Sequence, residues 1–329
     1  MLEAMQGAGF WHRFKVSQIE DLSNAVLGAE LEAIQMAGPP VRGSLAFAAH
    51  NGVIFSSGLI EGKITVNGLL SHDAMTLSVA LRLGPGSRYW LNTVREGDVG
   101  IVLPGDAYDA FYTEVSLYVA ATLSAERLEE EVERHGLLLD RRMTFRTGLH
   151  ARPISPHSLV WLRKQVAHIH QNGTAFDDPT QEVGWAMLRT VIEHYARMPT
   201  GAGGGIHPVG RARIVLQARA FIRENLAGPL SLDAIANAAG TSRRTLSRAF
   251  LEVLEDTPGN YVRRLRLHRI RRELALEVEA GCPIGRVASR WGIREPGRIS
   301  GWYRGLFGEC PSTTRAAHLA HLRLQTLWL

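Results

Sequence analysis

Ser231-Leu-Asp-Ala-Ile-Ala-Asn-Ala-Ala-Gly240, followed directly by Thr241-Ser-Arg-Arg-Thr-Leu-Ser-Arg-Ala-Phe250, decides the fold of the second half of this 329-residue chain. Leu232, Ile235 and Ala239 recur at helical spacing and Gly240 ends that helix. Ser242 then stands where it can cap a second helix that buries Leu246 and Phe250 at i, i+4. A helix, a glycine turn and a second helix make one supersecondary unit. Burying Leu246 and Phe250 turns Arg243, Arg244, Ser247 and Arg248 outward, the side-chain types that reach base edges and phosphates of a duplex.

The unit recurs downstream. Ile284-Gly-Arg-Val-Ala-Ser-Arg-Trp-Gly-Ile293 leads into Arg294-Glu-Pro-Gly-Arg-Ile-Ser-Gly-Trp-Tyr-Arg-Gly-Leu-Phe307, with Val287-Ala288 echoing Ile235-Ala236 and Gly292 echoing Gly240. Arg294, Arg298 and Ser300 are the candidates for base contact in this copy. Between the copies, Tyr261 to Leu274 reads as a helix with Val262, Leu265, Ile270 and Leu274 apolar. Arg263, Arg264, Arg266, Arg269, Arg271 and Arg272 surround that stripe and are the expected phosphate contacts.

Charge separates the two halves. From His207 to Leu329 there are 20 arginines, no lysine and 10 acidic residues, a net of +10, whereas the rest of the chain holds 17 basic and 22 acidic residues, a net of −5. A basic half joined to an acidic one points to a polyanion met by the second half only, because phosphate binding is driven by counterion release. Exclusive use of arginine fits planar, bidentate recognition of phosphate and guanine. With 45% apolar and 21% charged residues the composition is that of an ordinary globular protein, and the length suits roughly two domains.

The first half has a different texture. Leu45 to Ala49, Val53 to Phe55, Ile64 to Val66, Met75 to Leu83, Val99 to Leu103 and Val115 to Leu123 are short apolar or alternating runs. They are separated by turn signals such as His50-Asn-Gly and Gly84-Pro-Gly-Ser87, so strands fill about 43–123 as a sandwich or barrel. Ser124 is placed to cap a helix over about 124–136, and helical periodicity follows over 156–171 and 179–198. Paired amphipathic helices before a linker suit dimerisation, which nominates Leu159, Leu162, Val166 and Val191. Pro199-Thr-Gly-Ala-Gly-Gly-Gly-Ile-His-Pro208 reads as a flexible linker. The expected organisation is therefore a domain over 1–198, a linker over 199–208 and a helical domain over 209–329.

The second half resembles the DNA-binding domain of the AraC/XylS family of transcription regulators. Leu232, Ile235-Ala236, Gly240, Ser242, Leu246, Arg248 and Phe250 carry the likeness, then Pro258, Tyr261, Arg266-Leu267, Val287-Ala288, Gly292, Tyr303, Phe307-Gly308, Pro311 and Arg315. The resemblance implies two helix-turn-helix subdomains joined by a long helix, with recognition helices in successive major grooves and Arg244, Ser247 and Arg248 reading bases. It also implies a homodimer, RNA polymerase as a partner and activation of transcription. Ile293, Ile299, Gly301 and Trp302 depart from the pattern. They weaken the case for base reading by the second motif and leave phosphate or polymerase contact as its alternatives.

The first half resembles the cupin-like sensing domains of the same family, which implies a small effector. Trp90, Tyr108, Phe111 and Tyr118 would supply aromatic surface, and Arg82 and Arg88 would meet an anionic ligand. A metal-binding cupin needs a His-x-His on a strand; the one here, His168-Gln-His170, falls on a helix with its rings on different faces, so no metal and no other cofactor is expected. Cys282 and Cys310 match no metal spacing. No P-loop, nucleophile elbow or HExxH is present, so no catalytic residue is nominated and an enzyme built on the barrel is the weaker alternative. A regulator controlled by a partner or by abundance is the other. No apolar run reaches 18 residues and no cleavable leader is legible, which gives the expectation of a cytoplasmic protein without membrane contact.

Overall fold

The computed structural model describes residues 11–137, 146–150, 152–172, 182–197, 204–205, 209–276, 282–293 and 295–316. The chain divides into two compact units, Met1–Ala33 with Val41–His207, and Ile34–Pro40 with Pro208–Leu329.

In the first unit all strands pair antiparallel. The larger sheet has the order β1 (His12–Val16), β3 (Arg42–His50), β4 (Val53–Glu61), β11 (Val115–Leu123), β6 (Met75–Arg82), β9 (Val99–Val102), β12 (Gly148–Leu149), β13 (Gly204–Gly205). The smaller has the order β2 (Glu30–Gln35), β5 (Ile64–Leu69), β10 (Ala107–Tyr112), β7 (Arg88–Tyr89), β8 (Asn92–Thr93). The β3–β4 hairpin turns at Asn51-Gly52, both at positive φ (49° and 75°), as a tight two-residue hairpin requires. Strand β11 explains the unbroken apolar runs. Leu117, Val119, Ala121 and Leu123 face one way into a core closed by helices, while Ser116, Tyr118, Ala120 and Thr122 are equally buried on the other face. A strand covered on both sides needs no polar alternation. Gly58 is required there, since a Cβ would lie 2.5 Å from the Tyr118 ring.

Helix α1 (Ala125–Arg134) is capped by Ser124, whose side chain accepts from the Arg127 amide. Helices α2 (Pro156–Asn172) and α3 (Val183–Arg197) close the core with Leu162, Val166, Ile169, Met187, Leu188 and Val191. Leu162, Val166 and Val191 are fully buried in that core. The amphipathic stripe that suggested dimer contact is the stripe that covers the sheet, so these three cannot touch a partner. Leu159 is half-buried and packs towards Gly97 and Ile154. Most of the expected linker lies outside the described residues. Its Gly204-Gly205 is laddered to Gly148-Leu149 as an edge strand and is not free coil.

The second unit is helical: α4 (Arg211–Glu224), α5 (Leu232–Ala238), α6 (Arg243–Leu254), α7 (Pro258–Leu276), α8 (Ile284–Arg290) and α9 (Pro296–Phe307). No helix among the described residues is long and apolar enough to cross a membrane.

Candidate nucleic-acid interface

The first helix-turn-helix is built by caps and one turn. Ser231 accepts from the Ala234 amide to start α5, and Gly240 turns the chain at φ +60°. Ser242 accepts from the Thr245 amide to start α6. Leu246 and Phe250 of α6 are fully buried, with Phe250 edge-on to Tyr261 of α7 at 5.7 Å. This anchorage leaves Arg244, Arg248 and, half-exposed, Ser247 on one outward face. Leu251 extends the same face at 62% exposure, an apolar group suited to a thymine methyl. It was not nominated from sequence because a leucine in a helix reads as core. Arg243, also exposed, is instead held by a two-pronged ion pair to Asp233 of α5.

The second motif presents less chemistry. Gly292 turns at φ +72° between α8 and α9, and Ile293, Ile299, Tyr303, Leu306 and Phe307 fill the core beneath α9. The outward face of α9 holds Gly297, Arg298, Ser300, Gly301, Arg304 and Gly305. Arg298 pairs with Glu295 at 2.9 Å, and Ser300 is exposed. Arg294 lies outside the described residues. Trp302 turns sideways to receive the Arg263 guanidinium, 5.0 Å from its ring centre.

Helix α7 corrects a prediction. It is packed on several sides, so most of its arginines hold the unit together. Arg264 is ion-paired with buried Asp256. Arg266 donates to three backbone carbonyls, those of Leu226 (3.1 Å), Gly228 (2.7 Å) and Gly292 (3.0 Å), and so ties the first motif's approach loop to the second motif's turn. Arg271 is buried, ion-paired with Glu309 and stacked over Phe307 at 4.8 Å. Arg263 also bonds Asn260 at 2.8 Å, and Arg269 is half-buried. Only Arg272 of the six is fully on the surface.

The family match falls on this unit. The helix-turn-helix family matches residues 235–317. The XylDLEGF operon transcriptional activator 2 of Pseudomonas putida is 36% identical over 98 residues, 30% of this chain and 62% of that protein. The C-terminal unit belongs to the AraC/XylS family of helix-turn-helix domains. A solved AraC-type regulator domain from Chromobacterium violaceum is 31% identical over 32% of this chain and 91% of that one, with a TM-score of 0.30. The AraC-like activator CuxR covers 85% of this chain and 100% of its own at 14% identity and a TM-score of 0.36. The chain spans less than two thirds of the first of these curated relatives.

In the first unit the six nominated effector residues do not form one site. Tyr108 and Tyr112 share a face of β10, and their hydroxyls make a chain, Tyr108 to Tyr112 at 2.7 Å and Tyr112 to Tyr89 at 3.2 Å. Phe111 points to the other face, where it pairs with Arg88 of β7 and lies under Lys63. Arg88 reaches the Leu91 carbonyl and Thr93, and Arg82 is exposed at the end of β6. Trp90, at the unusual φ of 47°, donates its indole N–H to the Ala107 carbonyl, and the Tyr118 hydroxyl donates to the Ala25 carbonyl. Burial raises the pKa of Tyr89, Tyr108, Tyr112 and Tyr118, which keeps all four neutral. Tyr89 and Tyr112 complete the cluster, and the alternation along β10 is the signal that joins Tyr112 to Tyr108.

His168 is exposed and His170 buried, as rings on different faces require. His170 is held between Ser44 (Nδ1, 2.7 Å) and Ser57 (Nε2, 2.9 Å), and burial pushes its pKa down to about 4. All three side chains are buried, so this serine-histidine cluster is a packing device closed to substrate. Among the described residues no group of three or more His, Cys, Asp or Glu is placed to hold a metal.

Proposed function

We propose that this protein is a sequence-specific DNA-binding transcription regulator, an activator, that reads bases through Arg244, Ser247 and Arg248 and answers to a small effector bound in its first unit. The observation that carries the reading is the outward face of α6, where two arginines and a serine stand exposed or half-exposed on a capped, core-anchored helix, with no acid partner among the described residues. Arginine forks on such a helix suit guanine O6 and N7 in a major groove. The curated relative named as an operon activator supports the direction of control. On this reading the protein works as a homodimer on paired half-sites and contacts RNA polymerase. The second motif contributes mainly backbone contact, since glycines occupy much of its outward face.

The effector reading rests on the phenol chain. Tyr112 donates its one proton to Tyr89, so Tyr108 donates to Tyr112 and keeps only its oxygen lone pairs to offer a ligand. Tyr108 is half-exposed and opens the chain outward. With Arg88 on the opposite face, the ligand is a neutral molecule bearing a hydrogen-bond donor for the Tyr108 oxygen, which replaces the anion expected from Arg82 and Arg88.

The test is selection of binding sites from random DNA with the full chain, followed by Arg244→Ala and Arg248→Ala. The expected result is an enriched motif whose information is lost at one base position per variant. Recovery of no motif, with equal binding to all DNA, would falsify base reading. For the effector, Tyr108→Phe is expected to abolish the response of an operator-driven reporter while leaving basal DNA binding within about twofold.

A further inference from the structure

Two histidines 44 residues apart meet in the first unit. His150 directly follows β12 and His194 stands in the last turn of α3, their rings edge to face with centres 4.4 Å apart. Nε2 of His194 lies 2.9 Å from Nδ1 of His150, and both nitrogens lie 3.0 Å from the Arg152 carbonyl oxygen. Three atoms that each present a lone pair therefore form a nearly equilateral triangle. The Arg152 amide donates to Nδ1 at 3.2 Å, so Nδ1 is an acceptor and the triangle holds at most one proton, on Nε2 of His194. That proton serves two acceptors at once and leaves Nδ1 facing the carbonyl oxygen lone pair to lone pair. Burial and the neighbouring His150 lower the pKa of His194, which keeps its imidazole neutral.

We propose that this triangle is one face of a site for a first-row divalent transition metal ion, held by Nδ1 of His150, Nε2 of His194 and the Arg152 carbonyl, with water completing its coordination. Two ligand atoms about 2.0–2.1 Å from one ion and at right angles lie about 2.9 Å apart, so the observed edges suit an octahedral or tetragonal ion such as nickel(II) or copper(II). A tetrahedral ion would spread the same atoms to about 3.3–3.4 Å. Imidazole nitrogen suits these metals, whereas magnesium and calcium take oxygen. The set is pre-arranged by the sheet: the His150 amide donates to the Val99 carbonyl and the Ile154 amide to the Gly97 carbonyl, both at 2.8 Å, which pins the chain on either side of Arg152. His194 is half-buried and Arg152 exposed, so an ion can enter from solvent. Buried Asp98, close enough to His150 for their charges to interact, offsets part of the ion's charge. The ion replaces the shared proton and takes the Nδ1 lone pair from the long Arg152 amide bond. It would tie the chain after β12 to the last turn of α3, a role separate from both base reading and the phenol chain.

Calorimetric titration of the chelator-stripped full chain with nickel(II) tests the site. The expected result is one ion per chain at a micromolar dissociation constant, with a urea midpoint that rises in nickel and not in magnesium. His194→Gln and His150→Gln each weaken nickel binding about tenfold or more, since loss of even an outer-shell partner of a metal ligand costs that much. His72→Gln, at an exposed histidine elsewhere, leaves it unchanged. One equivalent of copper(II) on the wild-type chain gives an electron paramagnetic resonance spectrum split by two imidazole nitrogens, a readout that needs no variant to fold. Absence of nickel binding, binding that survives both histidine substitutions in folded protein, or a copper spectrum without two coupled nitrogens overturns the site and leaves the pair as a shared-proton hydrogen bond.

Discussion

Arg248 and Arg264 carry the same charge, yet their surroundings give them opposite duties. Arg248 stands exposed on α6 and is free to fork onto a base, so Arg248→Ala should cost roughly 1–3 kcal/mol at the preferred site and little on random DNA. Arg264 is locked to Asp256, which is buried and cannot be left unpaired cheaply. Arg264→Ala should therefore destabilise the fold by about 3–5 kcal/mol, read as a lower urea midpoint. A run of arginines in sequence shows charge without showing what each charge faces, which is why Arg264, Arg266 and Arg271 look like phosphate contacts in the sequence alone. His170 supplies a pH test at the same scale. Unfolded histidine titrates near 6.5, whereas His170 in the fold titrates at about 4, so the unfolded chain takes up the proton first. Its contribution is fully present above about pH 6.5 and is lost as pH falls towards 4, by about 3 kcal/mol at most. Urea midpoints at pH 7.5 and 5 should fall for the wild type and fall less for His170→Gln, whose midpoint is lower at the outset.

At the scale of elements, periodicity was legible wherever one face of a segment is buried. The capping serines Ser124, Ser231 and Ser242, the Asn51-Gly52 hairpin and the Gly240 and Gly292 turns all act locally, and each is found where the residues place it. Strand β1, His-Arg-Phe-Lys-Val, is not legible, because it is an edge strand whose first four residues are exposed and whose alternation is limited to Phe14 and Val16. Helix α7 misled for the opposite reason, since arginine stems pack against neighbours while their guanidinium groups are bonded, so burial there does not follow apolarity. Helix α9 shows an unusual choice. Gly297, Gly301 and Gly305 are exposed with nothing within 4 Å of a built Cβ, and glycine in a helix costs about 1 kcal/mol relative to alanine. Gly301→Ala should raise stability by about that amount in urea denaturation. No stabilisation would mean that α9 is already frayed at its middle.

For the molecule as a whole, the count of +10 in the second half states the sign of the partner and overstates the number of contacts. Among the described residues, six of that half's ten acidic side chains pair with arginine: Asp233 with Arg243, Glu252 with Arg211, Asp256 with Arg264, Glu273 with Arg290, Glu295 with Arg298 and Glu309 with Arg271. Those arginines raise the far field that steers DNA inward, yet several are held where no phosphate reaches them. The salt dependence of binding separates the two roles, because its slope counts the cations that displace counterions at the duplex and ignores those satisfied within the fold. Full-chain binding measured from low to moderate salt should give a slope that shrinks by about one unit for Arg272→Ala, the surface arginine of α7. Arg266→Ala and Arg271→Ala should leave the slope of the folded protein unchanged while lowering its urea midpoint, because these arginines bond carbonyls and Glu309. If Arg266→Ala shrank the slope as much as Arg272→Ala at undiminished stability, the helix would have to release its carbonyl bonds on meeting DNA, and the division of labour along α7 would be wrong.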